Sequence, residues 1–245
     1  MANYVFTDFM KRHERVNVCV KLYNEMRADK TLQRIYYPLT ECIRDKKRHK
    51  NPFKPRKEPI CAVKTSVYKG VSFYMIVDEY NQYTVIMNTS PVDAGYVEFV
   101  KVVAVEETAA IIFTQHALDR YNQRVHRSKY DNHRDIIKRL IANNPISAQA
   151  RTDEKSQRTV QRIQEGFLCG RFDREHKCMI FNTFFDTEEE LDNRYQMAAR
   201  HSYSVLGDLT EKQLTMFYYL ENQHNRGLIS TYQYEQLLKH FKINY

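Results

Sequence analysis

Along FTQHALDRYNQRV, residues 113 to 125, a histidine and two arginines recur at intervals of four, as His116, Arg120 and Arg124, with Arg127 three residues further on. On a helix turning about 100° per residue these four fall within a sector of about 80°, on a different side from Leu118, Tyr121 and Val125. Guanidinium groups grip phosphate oxygens through paired hydrogen bonds and stay charged at physiological pH. An imidazole beside them titrates near neutrality, as proton transfer in phosphodiester cleavage requires. RNA suits such a face, because its 2′-hydroxyl is a built-in nucleophile and cleavage then needs a base, an acid and cations rather than a metal. The same spacing also describes the solvated side of an ordinary amphipathic helix, with its charges paired to Asp119, Asp131 or Asp135.

Such a helix acts only if other elements hold it. Residues 8 to 48 read as helical, with Phe9, Val16, Val20, Tyr23, Leu32 and Ile35 among polar residues and no Gly or Pro before Pro38. Pro52, Pro55 and Pro59 then break the pattern. From residue 60 to about 105 the alternation is that of strands, broken by the polar turns DEYNQ and NTSPVDAG, which predicts an antiparallel meander. Helices follow over 114 to 127 and 132 to 143, the second ended by Asn143-Asn144-Pro145. RTVQRIQEGFLCGRF and KCMIFNTFF flank the turn DREH as a hairpin would. Capping boxes at Thr187/Glu190, Thr210/Gln213 and Ser230/Gln233 open a helix to about His201 and a final helical pair.

The expected fold is α+β: an antiparallel sheet with flanking helices, an N-terminal helical arm and a C-terminal helical pair. We place an N-terminal helical region over 1–50, a basic linker to about 59, a core over 60–203 and the helical pair over 208–245.

The chain has 245 residues, a formal charge of +8 and no tryptophan. Within RDKKRHKNPFKPRKE, residues 44 to 58, eight Lys or Arg stand against two acids. Such a run is either a solvated linker or a polyanion contact that gains affinity by counterion release, and it nominates Lys46, Lys47, Arg48, Lys50, Lys54, Arg56 and Lys57 as nucleic-acid contacts. No apolar run reaches membrane-spanning length and the start becomes charged before a signal-peptide core could form, so we expect no membrane and a cytoplasmic location. Five widely spaced cysteines without a C-x-x-C pair suit reduced thiols. The six glycines never cluster, which excludes the dinucleotide fingerprint, the P-loop and the nucleophile elbow. Cys169, His176 and Cys178 are the one metal spacing to weigh, with the cysteines nearly opposite across the hairpin. No fourth ligand accompanies them, so neither a metal nor a cofactor is expected.

The order of features over residues 113 to about 200, His-Ala-Leu-x-Arg-x-x-x-Arg on a helix, a second helix, an Arg-rich segment, then a hairpin ending in Asn182-Thr183-Phe184, resembles the nuclease toxins of the barnase/EndoU/colicin/RelE-like group, in particular phage and mobile-element members. That resemblance implies a metal-independent endoribonuclease leaving a 2′,3′-cyclic phosphate. It makes His116 the general base or acid, Arg120 the holder of the scissile phosphate and Thr183 a hydrogen-bond donor to a phosphate oxygen. Arg124, Arg127, Arg158 and Arg162 are added from the local sequence as phosphate contacts. On simple alternation Thr183 points with Met179, Phe181 and Phe185.

Two other functions compete. Tyr36, Tyr37, Tyr68, Tyr74, Tyr80 and Tyr83 flank the basic run and the meander, and tyrosines over a positive surface stack single-stranded bases without catalysis, as in an accessory or virion protein of a phage. Tyrosine more commonly packs half-buried with a wet hydroxyl. The C-terminal pair carries Leu214, Phe217, Tyr218, Leu220, Tyr232, Leu237, Leu238 and Phe241. This is more apolar surface than two short helices bury against each other, so it docks on the main domain, on another copy or on an inhibitor protein.

Overall fold

The computed structural model describes residues 4–49, 60–91, 95–103, 109–144, 151–152, 157–187, 190–191 and 229–241, together with 195, 213, 216–217, 219–220 and 223–224. Its centre is a nine-stranded sheet in the order β1-β2-β3-β4-β5-β9-β8-β7-β6. The strands are β1 (Cys61–Tyr68), β2 (Val71–Asp78), β3 (Tyr83–Asn88), β4 (Glu98–Val102), β5 (Ala110–Thr114), β6 (Arg151–Thr152), β7 (Arg158–Ile163), β8 (Gly166–Asp173) and β9 (Cys178–Phe185). Every pairing is antiparallel except β5 with β9, which run parallel from Ala110 opposite Cys178 to Phe113 opposite Phe181. The α+β class, with helices at both ends of the chain, is as the periodicity predicts.

Helices α1 (Arg12–Ala28) and α2 (Thr31–Arg48) cover one sheet face. The helical stretch expected over 8 to 48 is two helices, parted at Asp29 and Lys30, where Lys30 takes the left-handed φ of 64° and turns the chain back. Asp29 ties that turn down, since its carboxylate accepts the Thr31 amide at 2.9 Å and the Tyr68 hydroxyl at 2.6 Å. Phe9 lies outside α1 and is 97% exposed, whereas Val16, Cys19, Leu22 and Met26 face the sheet. Pro38 does not end α2: the helix runs through it, and Leu32, Leu39 and Ile43 on either side stay buried. Burial there outweighs the one hydrogen bond that a proline removes.

The opposite face carries α3 (Gln115–His126) and α4 (His133–Asn143). Ala117, Leu118 and Tyr121 of α3, with Ile136, Ile137, Leu140 and Ile141 of α4, pack against Tyr74, Ile76, Ile86, Phe99, Phe113, Phe181 and Phe184. Periodicity does not mark β5 as a separate strand, because AIIFT runs directly into the helix. The expected hairpin of 158–185 is three strands, since Gln164 and Glu165 form a turn inside RTVQRIQEGFLCGRF.

At the C-terminus Ser230 caps α5 (Thr231–His240) through a capping box with Gln233. Phe217 and Leu220 pack on Tyr234 and Leu238 of α5, and the Gln213 amide donates to the Phe241 carbonyl at 3.3 Å. Thr210, Leu214, Tyr218 and most of the helix expected from Thr187 to His201 lie outside the described residues. No helix among the described residues is long and apolar enough to cross a membrane.

Seven non-glycine residues among those described have left-handed φ, namely Lys30, Lys69, Asn81, Arg127, Ser128, Gln157 and Lys177. The sharpest steric demand falls on Gly170, where a Cβ would lie 1.8 Å from the Ile180 carbonyl oxygen.

One buried ion cluster binds the first helix to the sheet. Glu98 of β4 accepts from Arg12 Nε at 2.7 Å and from an Arg15 terminal nitrogen at 3.0 Å, and Arg15 also donates to the Met10 carbonyl at 2.7 Å. The side chains of Glu98 and Arg15 are 1% and 5% exposed, that of Arg12 38%. Removing one member of a buried pair strands the other, which costs about 3–5 kcal/mol, whereas exposed pairs contribute about 0–1 kcal/mol. Glu98→Ala is therefore expected to lower the unfolding free energy by about 3 kcal/mol or more, and Arg12→Ala by about 1 kcal/mol or less. Urea denaturation of both variants checks this, and equal losses would contradict it.

Candidate nucleic-acid interface

The helix of the His/Arg stripe begins where β5 ends. Thr114 closes the strand and caps the helix with one hydroxyl, which accepts from the Ala117 amide at 3.4 Å and donates to the Phe181 carbonyl of β9 at 3.0 Å. With Ala117, Leu118 and Tyr121 held to the sheet, His116, Asp119, Arg120, Gln123 and Arg127 are left exposed. Arg120 donates to the Gln123 amide oxygen at 3.2 Å. Beside it, the Asp119 carboxylate lies 2.7 Å from His133 Nε2 of α4.

Arg124 is on the same helix but engaged elsewhere. It donates to Asp186 at 2.6 Å, contacts Glu190 and lies over the Phe185 ring at 5.6 Å. Two carboxylates neutralise it, so it is a clamp between α3 and the end of β9 rather than a phosphate contact.

Thr183 departs from the expected geometry. Cys169 pairs with Thr183 but Gly170 pairs with Phe181, so Asn182 is an extra residue in β9 and the ladder is bulged there. The extra residue reverses the alternation. Phe181 and Phe184 both pack under α3, with Phe184 edge-on to Tyr121 at 5.3 Å, while Thr183 shares the other face with Cys169. That face also carries Arg158 and Arg162, which alternate with Thr159, Gln161 and Ile163 around the buried Val160. Arg158 lies over the Tyr195 ring at 5.7 Å. The nominated residues therefore divide, with His116, Arg120 and Arg127 outside α3, and Thr183, Arg158 and Arg162 across the sheet. His116 and Thr183 share no cleft.

The metal spacing is taken apart by the same register. Cys169 pairs with Thr183 and Cys178 with Asp173, so the two cysteines are not opposite, and burial pushes both thiols above the ordinary cysteine range. Among the described residues no group of three His, Cys, Asp or Glu is placed to hold a metal ion.

A second assembly forms at the corner where α2 passes the β2–β3 turn. Lys46 Nζ donates to the Cys61 carbonyl at 2.6 Å, Lys47 Nζ donates to the Glu79 carbonyl, and the Tyr36 hydroxyl donates to the Asn81 carbonyl at 2.8 Å. Tyr36 stands edge-on to Tyr37 at 5.8 Å and to Tyr83 at 5.6 Å. Tyr83 and Tyr23 of α1 bring their hydroxyls to 3.3 Å, and the Arg27 guanidinium lies 5.9 Å from the Tyr23 ring centre. Tyr37 is 62% exposed, Tyr83 39% and Tyr80 38%. Of the six tyrosines named from the sequence, Tyr74 is buried beneath Lys138 and Tyr68 is bonded to Asp29 at the other end of β1. Tyr23 joins the cluster unannounced, because nothing local to α1 marks it as a partner of Tyr83. Arg48 closes the exposed last turn of α2, and Lys50, Lys54, Arg56 and Lys57 lie outside the described residues.

Neither a family model, nor a curated protein, nor a solved structure matches this chain.

Asp78 organises the tyrosine turn. Its Oδ1 accepts the amides of Tyr80 and Gln82, each at 2.8 Å. Burial pushes its carboxyl up to about 6, against the opposing pull of those two amides. A folded-state value above the unfolded one means that the folded chain takes up a proton that the unfolded chain does not. The associated stability is present at low pH and is lost as pH rises through about 6. Lowering the pH from 7 to 5 is expected to stabilise the native protein by about 1 kcal/mol relative to Asp78→Asn, as judged by urea titrations at both pH values. An unchanged difference would place the Asp78 carboxyl in the ordinary range.

Proposed function

We propose that this chain is a nucleic-acid-binding protein, RNA favoured, acting in the cytoplasm. The observation that carries the reading is the corner formed by α2 and the β2–β3 turn. There the basic last turn, with Lys46, Lys47 and Arg48, is fixed beside partly exposed tyrosines. Cations at fixed positions attract a phosphate backbone without reference to sequence. Aromatic rings beside them present surface to bases. The run 44 to 58 extends the same charge along the chain.

Metal-independent cleavage is the second reading, supported by the exposed face of α3. His116 and Arg120 share that face with Asp119, and the Asp119 carboxylate orients the His133 imidazole at 2.7 Å. A carboxylate-oriented imidazole is suited to proton transfer, and Arg120 to a phosphate oxygen. In this version Thr183 takes no part in the site, and the resemblance to nuclease toxins rests on the helix alone. The C-terminal pair, packed on its own apolar residues, is proposed as the contact for another copy or an inhibitor protein.

A gel-shift and product assay with RNA in EDTA separates the readings. Native protein is expected to retard RNA. Changing Lys46, Lys47, Arg48, Lys50, Lys54, Arg56 and Lys57 to Gln is expected to weaken binding and to flatten its salt dependence, by about 0.7 in the log–log slope for each phosphate that the variant no longer neutralises. Cyclic-phosphate ends that vanish in His116→Ala or His133→Ala would establish cleavage. RNA that is bound but stays intact removes the nuclease reading, and RNA that is not bound removes both.

A further inference from the structure

The corner of α2 and the β2–β3 turn has a geometry that a general polyanion contact does not need. Tyr36 is the fixed centre, with its hydroxyl on the Asn81 carbonyl at 2.8 Å and its ring meeting Tyr37 and Tyr83 edge-on, both at an interplanar angle of 60°. Tyr37 and Tyr83 are thus both set against one ring, yet they keep 62% and 39% of their surface in solvent. Edge-on packing by Tyr36 restricts both rings before any ligand arrives, and so lowers the ordering cost that a stacked ligand would otherwise meet. Tyr83 is further held by the Tyr23 hydroxyl at 3.3 Å. Cations bracket the rings, with Arg27 against Tyr23 and Lys47 on the Glu79 carbonyl of the turn.

From this arrangement we infer that the ligand is a single strand, with successive bases stacking on Tyr37 and Tyr83 while its phosphates run between Arg27 and Lys47. The inference rests on the proposed nucleic-acid reading and specifies its substrate class. A duplex keeps its base faces inside its own stack and offers the tyrosines only edges and backbone. Unpaired bases have free π-faces, and each base stacked on an aromatic side chain adds affinity with little regard to sequence. The cations alone would bind both forms, so the preference for the single strand lies in the rings.

Fluorescence anisotropy with a short labelled RNA, single-stranded and as its duplex, tests this on the full chain. Tyr37→Ala and Tyr83→Ala are each expected to weaken single-strand binding about tenfold, leaving duplex binding and the salt slope as in the native protein. Tyr37→Phe, which keeps the ring, is expected to bind as the native protein does, and Tyr83→Phe, which keeps the ring but loses the Tyr23 contact, to bind more tightly than Tyr83→Ala. Photocrosslinking of native protein to RNA bearing 5-iodouridine is expected to label peptides containing Tyr37 or Tyr83, a readout independent of any variant's stability. If native protein binds RNA but the alanine variants bind single strands unchanged, or lose duplex binding equally, the stacking inference fails and the general reading stands. Crosslinks confined to other peptides would also overturn it. If native protein binds neither form, the general reading falls, and the inference with it.

Discussion

Four residue pairs, Ala110 with Cys178 through Phe113 with Phe181, join two antiparallel ribbons into one sheet. Everything else is arranged around that parallel ladder. Ile112 and Ile180 face α1 and α2, while Ile111, Phe113 and Phe181 face α3 and α4, so the joint is buried from both sides. A central parallel pairing requires cover on both faces, and this explains why CMIFNTFF carries apolar residues on both faces instead of alternating. Thr114 extends the joint by one hydrogen bond to β9 and starts α3 at the same point, so the outer face of α3 has its position set by the ladder. The tyrosine corner is borne by the first ribbon and its two helices, on the far side of the sheet's midline.

Much of the architecture is legible in the sequence because it rests on local chemistry. The cap of α5, the spans of α3 and α4, and the first meander each follow from residues adjacent in sequence. Breaks that depend on distant partners are not legible. Nothing in the composition of α1 and α2 announces a turn at Asp29, whose carboxylate is held by Tyr68. The bulge at Asn182 is the most consequential of these. Its cause is on the neighbouring strand, where Gly170 lets the Ile180 carbonyl come closer than any side chain would permit. One inserted residue moves Thr183 to the other face and separates a set of side chains that spacing alone would bring together. For the tyrosines the outcome runs the other way, since Tyr37 and Tyr83 both meet Tyr36 and Tyr23 joins them from another helix.

The charge excess also divides once positions are known. Arg12, Arg15, Lys69 and Arg124 are neutralised by Glu98, Glu25, Asp186 and Glu190 and serve the fold. Among the described residues Arg44 and Arg48 make exposed pairs with residues three positions away on their own helix, and such pairs contribute little. The cations fastened by carboxylates of other elements and those available to a ligand are therefore different residues, although composition counts them alike.

The left-handed turns have a meaning beyond geometry. A chain with six glycines closes these corners with residues that have side chains, and four of the seven, Lys30, Lys69, Arg127 and Lys177, are basic. Each such residue costs about 1–2 kcal/mol relative to the right-handed form, a cost that glycine avoids. The backbone alone would favour replacing them. At Lys30 and Arg127, both exposed, the molecule forgoes stability and presents a positive charge in its place, whereas the charge at the Lys69 corner is neutralised by Glu25.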